Sequence, residues 1–214
     1  MKNILFYFDF ISPYVYLATL RLPNLLQETS ATLTCVPVLF AGLLNAHGQK
    51  GPAEISAKRR YTFIDCLRLA HHDGVPLQGP PTHPFNPLPS LRMSMAVEPG
   101  RRWDFVRRAM NAAWAEGKDI SQPEMLVALA DEWEFDGPTL WEKSQSPEVK
   151  EALKRNTEEA IQKGIFGVPS FEVEGELFWG EDRMELLKSF LLGKLPSVAD
   201  RADSILARPS SAKR

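Results

Sequence analysis

An α/β fold interrupted by a long run of helices follows from three features of this 214-residue sequence. A strand, a helix and a second strand fill the first forty or so residues. A β-hairpin and a closing helix are written into the stretch from Pro169 to Leu192. Everything between reads as helix and loop. The economical architecture is an α/β domain assembled from both ends of the chain, residues 1–42 and 164–214, with a helical insertion domain over 43–163. No internal repeat is visible.

Asn3-Ile4-Leu5-Phe6-Tyr7-Phe8 is an apolar, β-prone run that predicts a buried strand. Asp9 breaks it. Ser12-Pro13 then starts a helix, with a hydroxyl N-cap and proline at the first helical position. Tyr14 to Gln27 carries apolar residues at Val15, Leu17, Ala18, Leu22, Leu25 and Leu26, at helical spacing, and Pro23 is expected to kink or split the helix. Ala31–Val38 is rich in β-branched residues and predicts a second strand, parallel to the first because a helix connects them.

Phe40 to Gly51 carries Gly and Asn and reads as only weakly helical. Pro52 to Asp73 predicts a helix with Ile55, Tyr61, Ile64, Leu67 and Leu69 on its core face. The proline cluster from Gly79 to Pro87 demands an extended loop. Leu88–Glu98, Arg101–Glu116 and Gln122–Glu134 are helical, with Trp103, Trp114, Trp133 and Trp141 as packing anchors. Ser146-Pro147-Glu148 opens a further helix that stops at Gly164. Glu174-Gly175 is a tight turn between strands Pro169–Val173 and Glu176–Trp179. Asp182–Leu192 closes the fold, and a polar, mobile tail is expected from Leu195 onward.

A net charge of −2 gives no electrostatic footing for nucleic acid or a membrane surface. No apolar run approaches the ~20 residues that span a bilayer. Met1-Lys2-Asn3 leads directly into a strand without a signal-cleavage pattern, so the cytoplasm is the expected compartment. Cys35 and Cys66 are too far apart for a CxxC motif and fall on faces expected to be buried, where thiols are inert. His47, His71, His72 and His83 show no metal-binding spacing, and no structural metal is expected.

Three features carry chemistry. Ser12 opens a helix at the C-terminal edge of a strand, where it is either a simple cap or a hydrogen-bond donor to an anion in the field of the helix end. Gly167-Val168-Pro169-Ser170 precedes the third strand. A trans proline there is an ordinary strand start, whereas a cis one turns the Val168 backbone outward to pair with an extended, peptide-like ligand. In Trp179-Gly180-Glu181-Asp182-Arg183 the two acids either cap the last helix or clamp a ligand's ammonium group.

Taken together, these motifs resemble the glutathione-binding, thioredoxin-like proteins of the DsbA type, and above all the 2-hydroxychromene-2-carboxylate isomerases and kappa-class glutathione transferases. The resemblance covers nearly the whole chain: Phe8-Asp9-Phe10-Ile11-Ser12-Pro13-Tyr14, Ala41-Gly42-Leu43-Leu44, Gly51-Pro52-Ala53 with Lys58, Pro84-Phe85-Asn86 with Arg92, Gly164 to Pro169, and Phe178 to Met184. It implies a thioredoxin-like fold and a homodimer. It also implies a glutathione-dependent cis–trans isomerase acting on an aromatic 2-oxo acid, with a kappa-like transferase or a non-catalytic glutathione binder as alternatives. Redox members keep Cys-x-x-Cys where this chain has Ser12-Pro13-Tyr14-Val15, so the resemblance makes the sulfur a bound thiol's and Ser12 its hydrogen-bond donor. It assigns Val168, before a cis Pro169, to the cysteinyl part of glutathione, Glu181 and Asp182 to its γ-glutamyl ammonium and carboxylate, and Pro169, Trp179 and Gly180 to glutathione binding. It assigns Lys58 to the glycyl end and the second substrate, and Arg92 to a substrate carboxylate. Asn45 and Gln49 stand where many members carry Lys and Asn; Gln49 is assigned to glutathione and Asn45 to the substrate, with a weaker hold on an anion.

Overall fold

The computed structural model describes residues 1–209. β1 (Asn3–Phe8) and β2 (Thr32–Pro37) lie parallel, joined by α1 (Pro13–Thr29), in register from Asn3 opposite Thr32 to Phe8 opposite Pro37. β3 (Ser170–Val173) returns antiparallel on the other side of β1, with Tyr7 opposite Ser170. β4 (Glu176–Trp179) follows through a turn whose two residues, Glu174 and Gly175, both take positive φ (52° and 86°), as a two-residue hairpin of matching twist requires. The sheet order is β2-β1-β3-β4. β1 is therefore central, and its aromatic residues form the heart of the core. Phe6 stacks between Phe8 and Phe171 with ring centroids 5.4 and 5.3 Å away. Such pairs add ~0.5–1.5 kcal/mol each beyond the area they bury.

Between β2 and β3 run α2 (Phe40–Ala46), a 3₁₀ turn (Pro52–Glu54), α3 (Ser56–Asp73), α4 (Leu88–Ala96), α5 (Pro99–Trp114), α6 (Pro123–Glu132), α7 (Gly137–Ser144) and α8 (Pro147–Gln162). After β4 come a 3₁₀ turn (Glu181–Arg183), α9 (Met184–Leu191) and α10 (Ala199–Leu206). The Pro-rich stretch is extended, as expected, and links α3 to α4.

Four expectations are corrected and one helix is added. Pro23 does not split its helix: α1 runs unbroken for 17 residues, with Pro23 on its exposed side. There the ring meets solvent, and one backbone hydrogen bond is lost rather than the helix. Residues Phe40–Ala46 form a helix rather than a weakly ordered stretch. The core face of α3 is built from the small residues Cys66 and Ala70, while Tyr61 and Leu67 are 59% and 52% exposed. Close packing against α1 favours small side chains over the larger apolar ones. Gly137–Ser144 is a helix, started by Asp136, whose carboxylate accepts from the Thr139 amide at 3.0 Å. The segment expected to be a mobile tail holds α10, and its last residues, 210–214, lie outside the described residues.

Candidate active site

The turn between β1 and α1 is pinned on every side. Asp9 is fully buried, and its carboxylate accepts from the Ile11 amide at 3.1 Å and the Phe40 amide at 2.9 Å. The indole Nε1 of Trp114, at the end of α5, donates to the Phe10 carbonyl at 2.9 Å. His83, in the Pro-rich loop, meets the Ile11 carbonyl through Nε2 at 3.1 Å. The Ser12 amide donates to the Asp9 carbonyl at 3.3 Å. A peptide unit is planar, so holding its C=O and its N–H fixes the whole plane. The Phe10–Ile11 plane is held by Trp114 and the Asp9 carboxylate. The Ile11–Ser12 plane is held by His83 and the Asp9 carbonyl.

Ser12 hangs from the second plane. It is buried, caps α1, and accepts from the Val15 amide at a long 3.4 Å. Its own hydroxyl hydrogen donates to no acceptor among the described residues, so it is free for a ligand. Pro13 follows at the helix start, and no acidic residue occupies the first turn of α1. The positive end of the helix dipole is therefore uncompensated within its own helix. Asp9, three residues before Ser12, has its carboxyl pushed up to about 7 by burial, against the pull of its backbone amide donors. Near neutrality it is only partly ionised.

Two distant segments meet this turn. The β1–β3 ladder ends with Tyr7 opposite Ser170, so Pro169 and Val168 lie just beyond it, at the end of β1 that leads into the Ser12 turn. The Val168–Pro169 bond is cis, and Val168 stands ahead of the β3 ladder, which begins at Ser170. The Gly180 amide donates to the Pro169 carbonyl at 3.0 Å, which brings Trp179-Gly180-Glu181-Asp182 to the same end of the sheet. Gly180 has φ of 108°, a backbone state that L side chains rarely adopt. Trp179 is half-exposed, and its ring packs edge-on against Phe166 at 4.7 Å. A Cβ on Gly167 would lie 2.6 Å from the indole Nε1, so glycine is what lets the ring lie against the Gly167-Val168 backbone.

The two acids have different surroundings. Glu181 is 3% exposed and pairs with Arg21 of α1, which also binds Asp73 at 2.6 Å. Burial pushes its carboxyl up while Arg21 opposes the rise. Its charge is thus engaged inside the protein. Asp182 is exposed beside Arg183 at 2.6 Å and faces solvent.

The remaining candidates lie further out. Asn45 and Gln49 are exposed at the end of α2, a stretch tied down by the contact of His47 Nε2 with the Ile165 carbonyl at 3.1 Å. Lys58 is exposed near the start of α3. Arg92 is half-buried on α4, and its Nε is buried without a hydrogen-bond partner. No hydrogen bond or ion pair among the described residues joins Lys58 or Arg92 to the Ser12 turn. Cys35 and Cys66 are buried free thiols, each pushed up to about 12, chiefly by burial. Sequence reasoning missed His83, Trp114 and the burial of Asp9. Their signal was the odd placement of a histidine inside a proline cluster and of an acid directly after an apolar strand.

A model of the DSBA-like thioredoxin domain matches residues 3–192. A 2-hydroxychromene-2-carboxylate isomerase of Sphingobium xenophagum is 32% identical, over 89% of this chain and 98% of its own length. Glutathione S-transferase kappa 1 of Homo sapiens is 29% identical, over 93% and 96%. The solved structure of a 2-hydroxychromene-2-carboxylate isomerase superposes with a TM-score of 0.79 at 26% identity, covering 96% of this chain and 100% of that one. The chain belongs to the DsbA-like thioredoxin family, in the branch that holds the 2-hydroxychromene-2-carboxylate isomerases and the kappa-class glutathione transferases.

Proposed function

We propose that this protein is a glutathione-dependent isomerase that interconverts 2-hydroxychromene-2-carboxylate and trans-o-hydroxybenzylidenepyruvate, or a closely related pair of aromatic 2-oxo acids. One observation carries the reading: Ser12, with an uncommitted hydroxyl hydrogen, stands at an uncompensated helix end beside cis Val168–Pro169 and the Gly180-Asp182 turn. This geometry suits a peptide-like thiol, with a Val168 backbone that has no hydrogen-bond partner among the described residues and an exposed acid for an ammonium group.

Ser12 would donate to the sulfur and, with the α1 dipole, favour its ionised form. Val168 would hold the thiol's backbone, and Asp182, Trp179 and Gln49 would hold its ends. Gly180, its own amide being bonded to Pro169, would shape the turn that carries Asp182. Glu181 would serve this site by fixing the turn that carries Asp182. Lys58, Asn45 and Arg92 are the candidates for the carboxylate of the second substrate, and the buried, unpartnered Arg92 Nε suits a planar anion. Glutathione, if bound here, would supply the thiolate for reversible addition to a conjugated enone, so that the former double bond could rotate before the thiol is released. The chain's own share is orientation and charge stabilisation. A cytoplasmic homodimer working in aromatic catabolism is part of the same reading.

Ser12→Ala is the direct test. The pKa of the enzyme-bound thiol, followed by thiolate absorbance, should rise by about one to two units, and isomerisation should fall with it. An unchanged thiol pKa and turnover would remove Ser12 from the chemistry, and wild-type turnover without glutathione would remove the mechanism. Similarity to the kappa-class relatives favours a second reading, transfer of glutathione to an electrophile. Product analysis separates the two, because an isomerase returns all its glutathione and a transferase consumes it.

A further inference from the structure

Outside the residues assigned above, one side chain touches the Ser12 turn directly and has an unexplained buried atom. His83 meets the Ile11 carbonyl with Nε2 at 3.1 Å, and its Nδ1 is buried with no hydrogen-bond partner. A carbonyl only accepts, so the nitrogen facing it carries the hydrogen, and in the neutral ring Nδ1 is bare. The ring is braced edge-on by Phe63 at 5.1 Å and by Trp114 at 5.6 Å. Its main chain is braced as well, since the Arg59 guanidinium donates to the His83 carbonyl at 2.6 Å. Burial is the largest influence on the His83 pKa and pushes it down, the bond to the Ile11 carbonyl opposes it, and the Arg59 charge adds to the fall.

We infer that His83 is a positioning residue for Ser12: by holding the Ile11 carbonyl it sets the Ile11–Ser12 peptide plane and so aims the Ser12 hydroxyl. The inference rests on the reading that Ser12 binds a thiol. It adds that the Pro-rich loop between α3 and α4 has a direct hold on that serine. Three neighbouring contacts show why packing alone does not explain the residue. Phe63 and Trp114 already fill the space on either side of the ring with apolar surface, and a phenylalanine would pack there without stranding a bare nitrogen. The polar ring has one bond, and that bond goes to the turn. Trp114 pins the preceding peptide plane in the same way, so losing the His83 contact loosens the Ser12 plane specifically, leaving it only the bond to the Asp9 carbonyl.

The test compares His83→Phe, which keeps the ring and loses the donor, with His83→Gln, whose amide can still donate. In the presence of glutathione the bound-thiol pKa should rise by about one unit in His83→Phe, with KM for glutathione little changed, and return in His83→Gln. A wild-type thiol pKa in both variants, whatever their melting temperatures, overturns the inference. If the wild type itself leaves glutathione's thiol pKa at its solution value, the thiol reading has failed, and the Ser12 amide resonance decides the role of His83. That resonance should move in His83→Phe and return in His83→Gln; no movement in either overturns the role. On the wild type alone, nitrogen NMR should find Nε2 protonated and Nδ1 bare. The opposite tautomer overturns the inference even where a variant does not fold.

Discussion

Asp9 makes this protein less stable as pH rises, and the effect is large enough to measure. Its carboxyl is moved from the ordinary 3.8 up to about 7 in the fold, with burial as the largest cause. Between those two values the folded state keeps the proton that the unfolded chain has lost, so stability falls with rising pH. The penalty is absent below about pH 3.8 and complete above about pH 7, where three units correspond to roughly 4 kcal/mol. Between pH 5 and pH 8 the same arithmetic gives a loss of about 2–3 kcal/mol. Asp9→Asn removes the titration. The asparagine oxygen can still accept from one of the two amides at Phe40 and Ile11, but its NH₂ faces the other, at a cost of about 1 kcal/mol at every pH. About 1.5–2 kcal/mol of the penalty is already present at pH 5, so the variant should be level with or slightly more stable than wild type there, and ahead by about 3 kcal/mol at pH 8. Urea unfolding at the two pH values, with equal m-values, measures this directly. Glu181 is shifted in the same direction, but it is present in both proteins and cancels from the difference. Parallel pH profiles for the two proteins would refute the reasoning.

Two further outcomes follow from buried groups elsewhere. Arg21→Met leaves the Glu181 carboxylate buried without its cation, and should cost about 2–3 kcal/mol in urea unfolding. Adding Glu181→Gln should recover most of that; a double variant as unstable as the single one argues against the pair. With both thiols raised to about 12, only about one in ten thousand is ionised at pH 8, so the native protein should resist thiol-alkylating reagents. Cys35 and Cys66 should label together in urea, and fast labelling of either in the folded protein contradicts the burial.

Where local chemistry decides, the sequence is a good guide. Ser12-Pro13 and Ser146-Pro147 are helix starts in the structure, each serine accepting from the amide three residues on. Glu174-Gly175 forms the two-residue turn its composition suggests. Asp136 ahead of Pro138 is a start signal of the same kind, hidden by the intervening Gly137. Partners distant in sequence were not legible. Asp9 reads as a strand breaker because the amide that satisfies it belongs to Phe40, and Glu181 reads as a ligand acid because Arg21 lies 160 residues away. On α3 the expected face is right in part: Leu69 packs against the core, but Tyr61 and Leu67 are exposed and the fully buried positions go to the small Cys66 and Ala70. His83 and Trp114 reach the Ser12 turn only after the chain has folded back on itself.

The register of β3 against β1 sets an order of events during synthesis. Tyr7 waits for Ser170, so the central strand has one open edge for most of the time the chain is being made. β1, α1 and β2 have all their mutual contacts within the first forty or so residues, whereas β3, β4 and the Glu181–Arg183 turn are made only near the end of the chain. Closing so long a loop makes this pairing the slow, aggregation-exposed part of folding. A nascent chain halted before the hairpin would hold Ser12 at the end of its helix and have nothing opposite it.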